Sequence, residues 1–137
     1  MERIRIAIGS NDGKKIAPGH MGDAEYFYVY DVHAEGEAEF VERRDNTTPG
    51  DEKGHGRGEK RRAVLEILND VDLLVGRRVS PNFKKIAKET EVQPVVSQLE
   101  DIEKILNAIS ESFERFRTLV RSRRDGERPE EIPVLEG

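Results

Sequence analysis

Apolar positions alternate with polar ones at the start of this chain and take a helical period further on. Ile4, Ile6 and Ile8 fall on every second position, and the run stops at Gly9-Ser10-Asn11-Asp12-Gly13. That pattern predicts a strand closed by a turn, with Arg5 marking a second face that is covered but not wholly apolar. Residues 26–32 form a second strand-like run, 34–37 a turn, and 38–44 a third strand of poorer pattern near an edge. The second and third strands read as a hairpin. The nearly continuous apolar run at 71–76 suits a strand buried on both faces of a parallel sheet. A short fifth strand at 92–96 contains Pro94, which has no N–H to donate and therefore fits an edge.

Between these runs the period changes. Ala63, Val64, Ile67 and Leu68 make one stripe of a helix over 59–69. Ser80 is placed to cap a second helix, with Pro81 in its first turn, running to about residue 90 and burying Phe83, Ile86 and Ala87. A third begins near Glu100 and carries Ile102, Ile105, Leu106, Ile109, Phe113, Phe116 and Val120 on one stripe, reaching Arg123. The basic positions Arg115, Arg117, Arg121, Arg123 and Arg124 read as a solvated face. The acidic tail, 125–137, with Pro129 and Pro133, reads as loosely docked. The expected fold is α/β: a three-layer α/β/α arrangement with a mixed five-stranded sheet in the order β-β-β-α-β-α-β-α. Residues 1–112 would form one domain, and 113–137 a helical extension and tail. About 13 helical residues span 20 Å, enough to cover a five-stranded sheet. Phe113, Phe116 and Val120 lie beyond that length. They therefore call for a homodimer partner, or for tail residues Ile132, Val134 and Leu135 to cover them.

Composition narrows the function. The chain has 137 residues, 37% charged and 35% hydrophobic, with a net charge of −5 and no cysteine. A charge-rich, cysteine-free surface is a thermophile trait. The acidic balance argues against general nucleic-acid binding. Without cysteine there is no disulfide and no thiolate-ligated zinc or iron–sulfur site. No apolar run has the length of a membrane span, and the first residues lead directly into a strand rather than a signal peptide. The expected location is the cytoplasm.

Topology gathers the candidate chemistry. If the second strand is antiparallel to its neighbours and helical crossovers make the rest parallel, the first, third, fourth and fifth strands end at one sheet edge. The loops at 9–25, 46–58, 77–81 and 97–100 meet there, and open α/β sheets bind ligands at that edge. They carry Asn11, His20 on a corner between Gly19 and Gly22, His55 in Gly54-His55-Gly56-Arg57-Gly58, Arg77, Arg78, Ser80 and Asn82. Imidazoles suit a transition metal, and guanidiniums with a helix N-terminus suit an anion. Each also has a plain structural reading: His20 fixing a corner, Arg77 or Arg78 pairing with Glu, Ser80 and Asn82 capping a helix, Asn11 in a turn. His33 falls at the opposite edge.

The opening strand, His20-Met21-Gly22-Asp23-Ala24-Glu25-Tyr26-Phe27, the Gly54-His55-Gly56 loop and Val79-Ser80-Pro81-Asn82 resemble, in order and spacing, the dinitrogenase iron–molybdenum cofactor biosynthesis family over about residues 3–110. Met21 stands where that family usually has phenylalanine. The resemblance implies a ribonuclease H-like fold and a non-enzymatic carrier of an iron–molybdenum or iron–sulfur type cluster, held non-covalently. It assigns His20, and secondly His55, as metal ligands, and it implies donor and acceptor proteins as partners. An interaction or regulatory protein using the long last helix, with no cofactor, is the alternative. A hydrolase is a third possibility, but two-metal chemistry needs carboxylates on the central strands. Residues 4–9 supply none and 71–76 only Asp72.

Overall fold

A computed structural model describes residues 3–19, 23–47 and 57–136. The elements are β1 (Arg3–Ser10), β2 (Tyr26–His33), β3 (Ala38–Asp45), α1 (Arg57–Ile67), β4 (Leu73–Gly76), α2 (Pro81–Glu89), β5 (Gln93–Ser97), α3 (Ile102–Glu111), α4 (Phe113–Arg124) and β6 (Val134–Leu135). They form one mixed sheet in the order β3-β2-β1-β4-β5-β6. β2 is antiparallel to β1 and β3, whereas β4, β5 and β6 follow β1 in parallel. The alternation of β1 sorts its side chains between two cores. Ile4, Ile6 and Ile8 pack with α3 and α4, and Ala7 lies with Phe27, Val64, Leu68, Phe83 and Ile86 under α1 and α2.

Several expectations need correction. The sheet has six strands rather than five, because the acidic tail returns and adds β6 beside β5. β5 is therefore internal. Pro94 is accommodated because parallel donors alternate sides: Gln93 N donates to Asp72 O of the neighbouring segment, and Val96 N to Pro133 O. The proline's missing donor thus faces the β6 side before that pairing begins.

The single long helix is two helices broken at Ser112. Its N–H returns to Ile109 O and Ser110 O, and its backbone (φ −112°, ψ 29°) leaves the helical region. The stripe read as open to a homodimer partner is covered from within the chain, the alternative that the pattern also allowed. Phe113, Phe116 and Val120 are buried in one cluster with Leu135 of the tail, Ile105 and Val95. Burying one such side chain contributes roughly 1.5–3 kcal/mol, so α4 and the tail belong to the core. Arg123, expected on a solvated face, is fully buried.

Arg5, on the α1 side of β1, is covered by acids rather than apolar groups. It donates twice to Asp31 (2.9 and 3.1 Å) and once to Asp70 (2.8 Å). Asp70 also receives Arg44 at 2.7 and 3.0 Å. Asp72, immediately before β4, accepts from Arg5 N (2.9 Å) and Arg124 (2.6 Å). Its oxygens are thus committed to holding strands and helix together at the edge away from the β1 and β4 carboxyl ends.

Candidate functional site

The carboxyl ends of β1 and β4 open onto a cleft of about 460 Å³, lined by Asn11, Asp12, Lys15, Ile16, Ala17, Pro18, Arg77, Arg78 and Glu100. Its wall after β1 is built by local hydrogen bonds. Ser10 Oγ accepts from Gly13 N (2.9 Å) and donates to Lys15 O (2.5 Å). Asp12 Oδ1 accepts from the amides of Lys14 and Lys15 at 2.9 and 3.0 Å. The Lys15 and Lys14 N–H groups hold the Asp12 carboxyl below the usual carboxylate range. Gly13 takes φ +78°, and a Cβ there would lie 2.8 Å from the Tyr28 ring, so glycine is required on both counts.

This wall is tied to the β5–α3 connection. Ile16 N donates to Glu100 O and Ile102 N to Lys14 O, each at 2.9 Å. The cleft floor is therefore one hydrogen-bonded unit drawn from two distant stretches of sequence.

The structure brings Asn11, Arg77 and Arg78 together at this cleft and gives them different tasks. Asn11 Oδ1 accepts from Glu25 N (2.9 Å), which ties the turn to the segment leading into β2. Arg77 donates to Ser97 O and Gln98 O at 3.2 and 2.8 Å, and its guanidinium stands 3.9 Å from Glu100. Arg78 is exposed and has no hydrogen bond or ion pair with the described residues. Ser80 is the N-cap of α2, accepting from Phe83 N at 3.1 Å. Asn82 accepts a long contact from Arg61 at 3.5 Å. Neither Ser80 nor Asn82 lines the cleft. Lys15 and Glu100 do, and the sequence reading missed both. The one available signal was the Asp12 turn, which fixes the Lys15 backbone three residues beyond it.

His20 and His55 lie outside the described residues. Pro18, in the cleft wall, precedes His20 by two positions, and Arg57, the first residue of α1, follows His55 by two. His33 ends β2 at the opposite edge, 3.6 Å from Glu39. Among the described residues no group of three or more His, Asp or Glu side chains is placed to hold a metal ion, and no helix is long and apolar enough to cross a membrane. The described cleft thus fits the outer, charged surface of an anionic ligand.

Against known proteins, residues 2–112 match the family model described as dinitrogenase iron–molybdenum cofactor. No curated protein matches the chain. With the match covering most of its length, the chain belongs to the dinitrogenase iron–molybdenum cofactor family.

Proposed function

We propose that this protein is a non-catalytic carrier for a metal cluster or anionic metallocofactor of the iron–molybdenum type, taken up from a donor protein and released to an acceptor. The observation that carries the reading is the cleft. Lys15, Arg77 and Arg78 stand around one opening at the carboxyl ends of β1 and β4, and its wall runs through Pro18 toward His20 in the sequence. In this reading His20 ligates the cluster, with His55 as a second ligand, because neutral imidazole suits transition metals. Arg78 and Lys15 offset the ligand's negative charge. Ligation by imidazole without thiolate suits a cargo that must be handed on.

Residues 1–112 are the ligand-binding module in this account, and 113–137 an extension that completes the core and sheet. The order of the first five strands, with only β2 antiparallel among them, supports relating the module to the ribonuclease H fold. The site of action in this reading is the cytoplasm. The alternative of a cofactor-free interaction protein rested on an open apolar helix. That helix is covered by the protein's own core.

Anaerobic spectroscopic titration of the protein with isolated iron–molybdenum cofactor tests the reading. Saturable binding that is lost in His20→Ala is expected. Equal binding by His20→Ala would remove His20 from the ligand set, and absence of binding by the native chain would refute the carrier role.

A further inference from the structure

The charges lining the cleft are not equivalent. Of its two carboxylates, Asp12 accepts the amides of Lys14 and Lys15 through Oδ1, and Glu100, largely exposed, stands 3.9 Å from Arg77. Arg77 is engaged, since its Nη1 is held by the carbonyls of Ser97 and Gln98. Lys15 and Arg78 have no ion pair or side-chain hydrogen bond with the described residues. Elsewhere several arginines are matched to acids: Arg3, Arg5, Arg44, Arg115, Arg117 and Arg124 each meet a carboxylate. Cations such as Lys84, Lys85, Lys88 and Arg121 stand exposed and without an ion pair among the described residues, but away from this cleft. Two cations in one concavity, with no ion pair among the described residues, are the arrangement an external anion would complete.

The backbone carrying one of them is also fixed in advance. The N–H of Lys15 is held by Asp12, its carbonyl by Ser10 Oγ, and its strand partner is Asp101. Little ordering is needed beyond the side chain itself. At about 460 Å³ the cleft is of small-molecule size.

We propose that this cleft binds a small oxyanion of two or more negative charges directly, through Lys15 and Arg78, without requiring a metal ligand from the protein. Arg77 acts as a positioning residue that shapes the floor through the carbonyls of residues 97 and 98. The inference rests on the carrier reading only in taking this cleft as the ligand site. The shared chemistry is a compact oxyanion, either an oxometalate or a pair of carboxylates.

Calorimetric titration of the metal-free full chain with molybdate and, separately, with malonate tests it. Binding of one or both is expected, and the better probe identifies the source. The double variant Lys15→Ala, Arg78→Ala should weaken binding by about tenfold or more, since each charge-assisted contact it removes is strong. Both residues are exposed, so the variant should keep its fold. His20→Ala should retain oxyanion binding. The proposal is overturned if neither probe binds, if the double variant binds as tightly as the native chain, or if His20→Ala alone abolishes binding. Cluster uptake measured on the same variants separates the two ideas. Uptake without oxyanion binding would refute this inference alone, and oxyanion binding without uptake would refute the carrier reading alone.

Discussion

The Nε of Arg123 donates to Oε1 of Gln93 at 2.7 Å, and neither residue exposes any surface. The other guanidinium nitrogens donate to the carbonyls of Ala87, Thr90 and Pro129. Gln93 Nε2 in turn donates to Pro94 O and Glu131 O. One buried pair therefore joins α4, the C-terminal end of α2, β5 and the tail. Among the described residues no carboxylate neutralises the cation. It sits instead on carbonyls at a helix C-terminus, where the backbone dipole is negative. Burial, with the nearby charge of Arg128, lowers its pKa to about 10.

Replacing Arg123 by methionine should cost on the order of 3 kcal/mol, because Gln93 and several buried carbonyls lose their donor. Chemical denaturation measures this. A double-mutant cycle with Gln93→Leu should give a coupling of about 1 kcal/mol or more. Additive losses would show that the two side chains act independently.

The family match ends where α3 meets α4, at Ser112. A chain truncated there loses Phe113, Phe116, Val120 and Leu135 from the main core. It should unfold or become molten, and Phe116→Ala in the full chain should cost about 3–5 kcal/mol. Circular dichroism melting of both is the check. A truncated chain as stable as the full one would contradict the core assignment.

Gly13→Ala should destabilise through both its positive φ and the overlap with Tyr28. The backbone part alone is about 1–2 kcal/mol. Adding Tyr28→Ala should recover only the overlap, leaving the backbone part in place. Complete recovery would show that φ at this position is not constrained.

Acid should weaken the fold through the Arg5–Asp31–Asp70–Arg44 network. Hydrogen bonds from Arg44 and Arg5 hold the Asp70 carboxyl far below its ordinary range. At Asp31, burial opposes ionisation, but the bonds from Arg5 outweigh it and the net shift is downward. Depressed carboxylate pKa values contribute stability that is present above the unfolded value of about 3.9 and is lost as pH falls below it. Denaturation midpoints should drop below about pH 4, and Asp31→Asn should be less stable at neutral pH with a shallower acid dependence. An unchanged acid slope in that variant would exclude Asp31 as a source.

Strand periodicity made β1 to β5 and their directions legible, and with them the edge where Asn11, Arg77 and Arg78 meet. β6 was not legible. It is two residues long and lies among prolines and acids, and what places it is pairing with β5 rather than any pattern of its own. The break at Ser112 was hidden because Phe113, Phe116 and Val120 continue the apolar spacing of α3 across it. Arg123 looked like part of a basic surface because its acceptors are backbone carbonyls, which no sequence pattern announces. Lys15 was missed for a similar reason: what distinguishes it from other lysines is its place in the cleft beside Arg78, which only the folded chain brings about.

The most direct test of the carrier account is metal content after transfer. The full chain, incubated anaerobically with isolated iron–molybdenum cofactor and passed through gel filtration, is assayed for iron and molybdenum. The account predicts that both metals co-elute with the native protein in stoichiometric amount, and that His20→Ala elutes nearly free of both. Metal-free native protein, or equal loading of the variant, would contradict it.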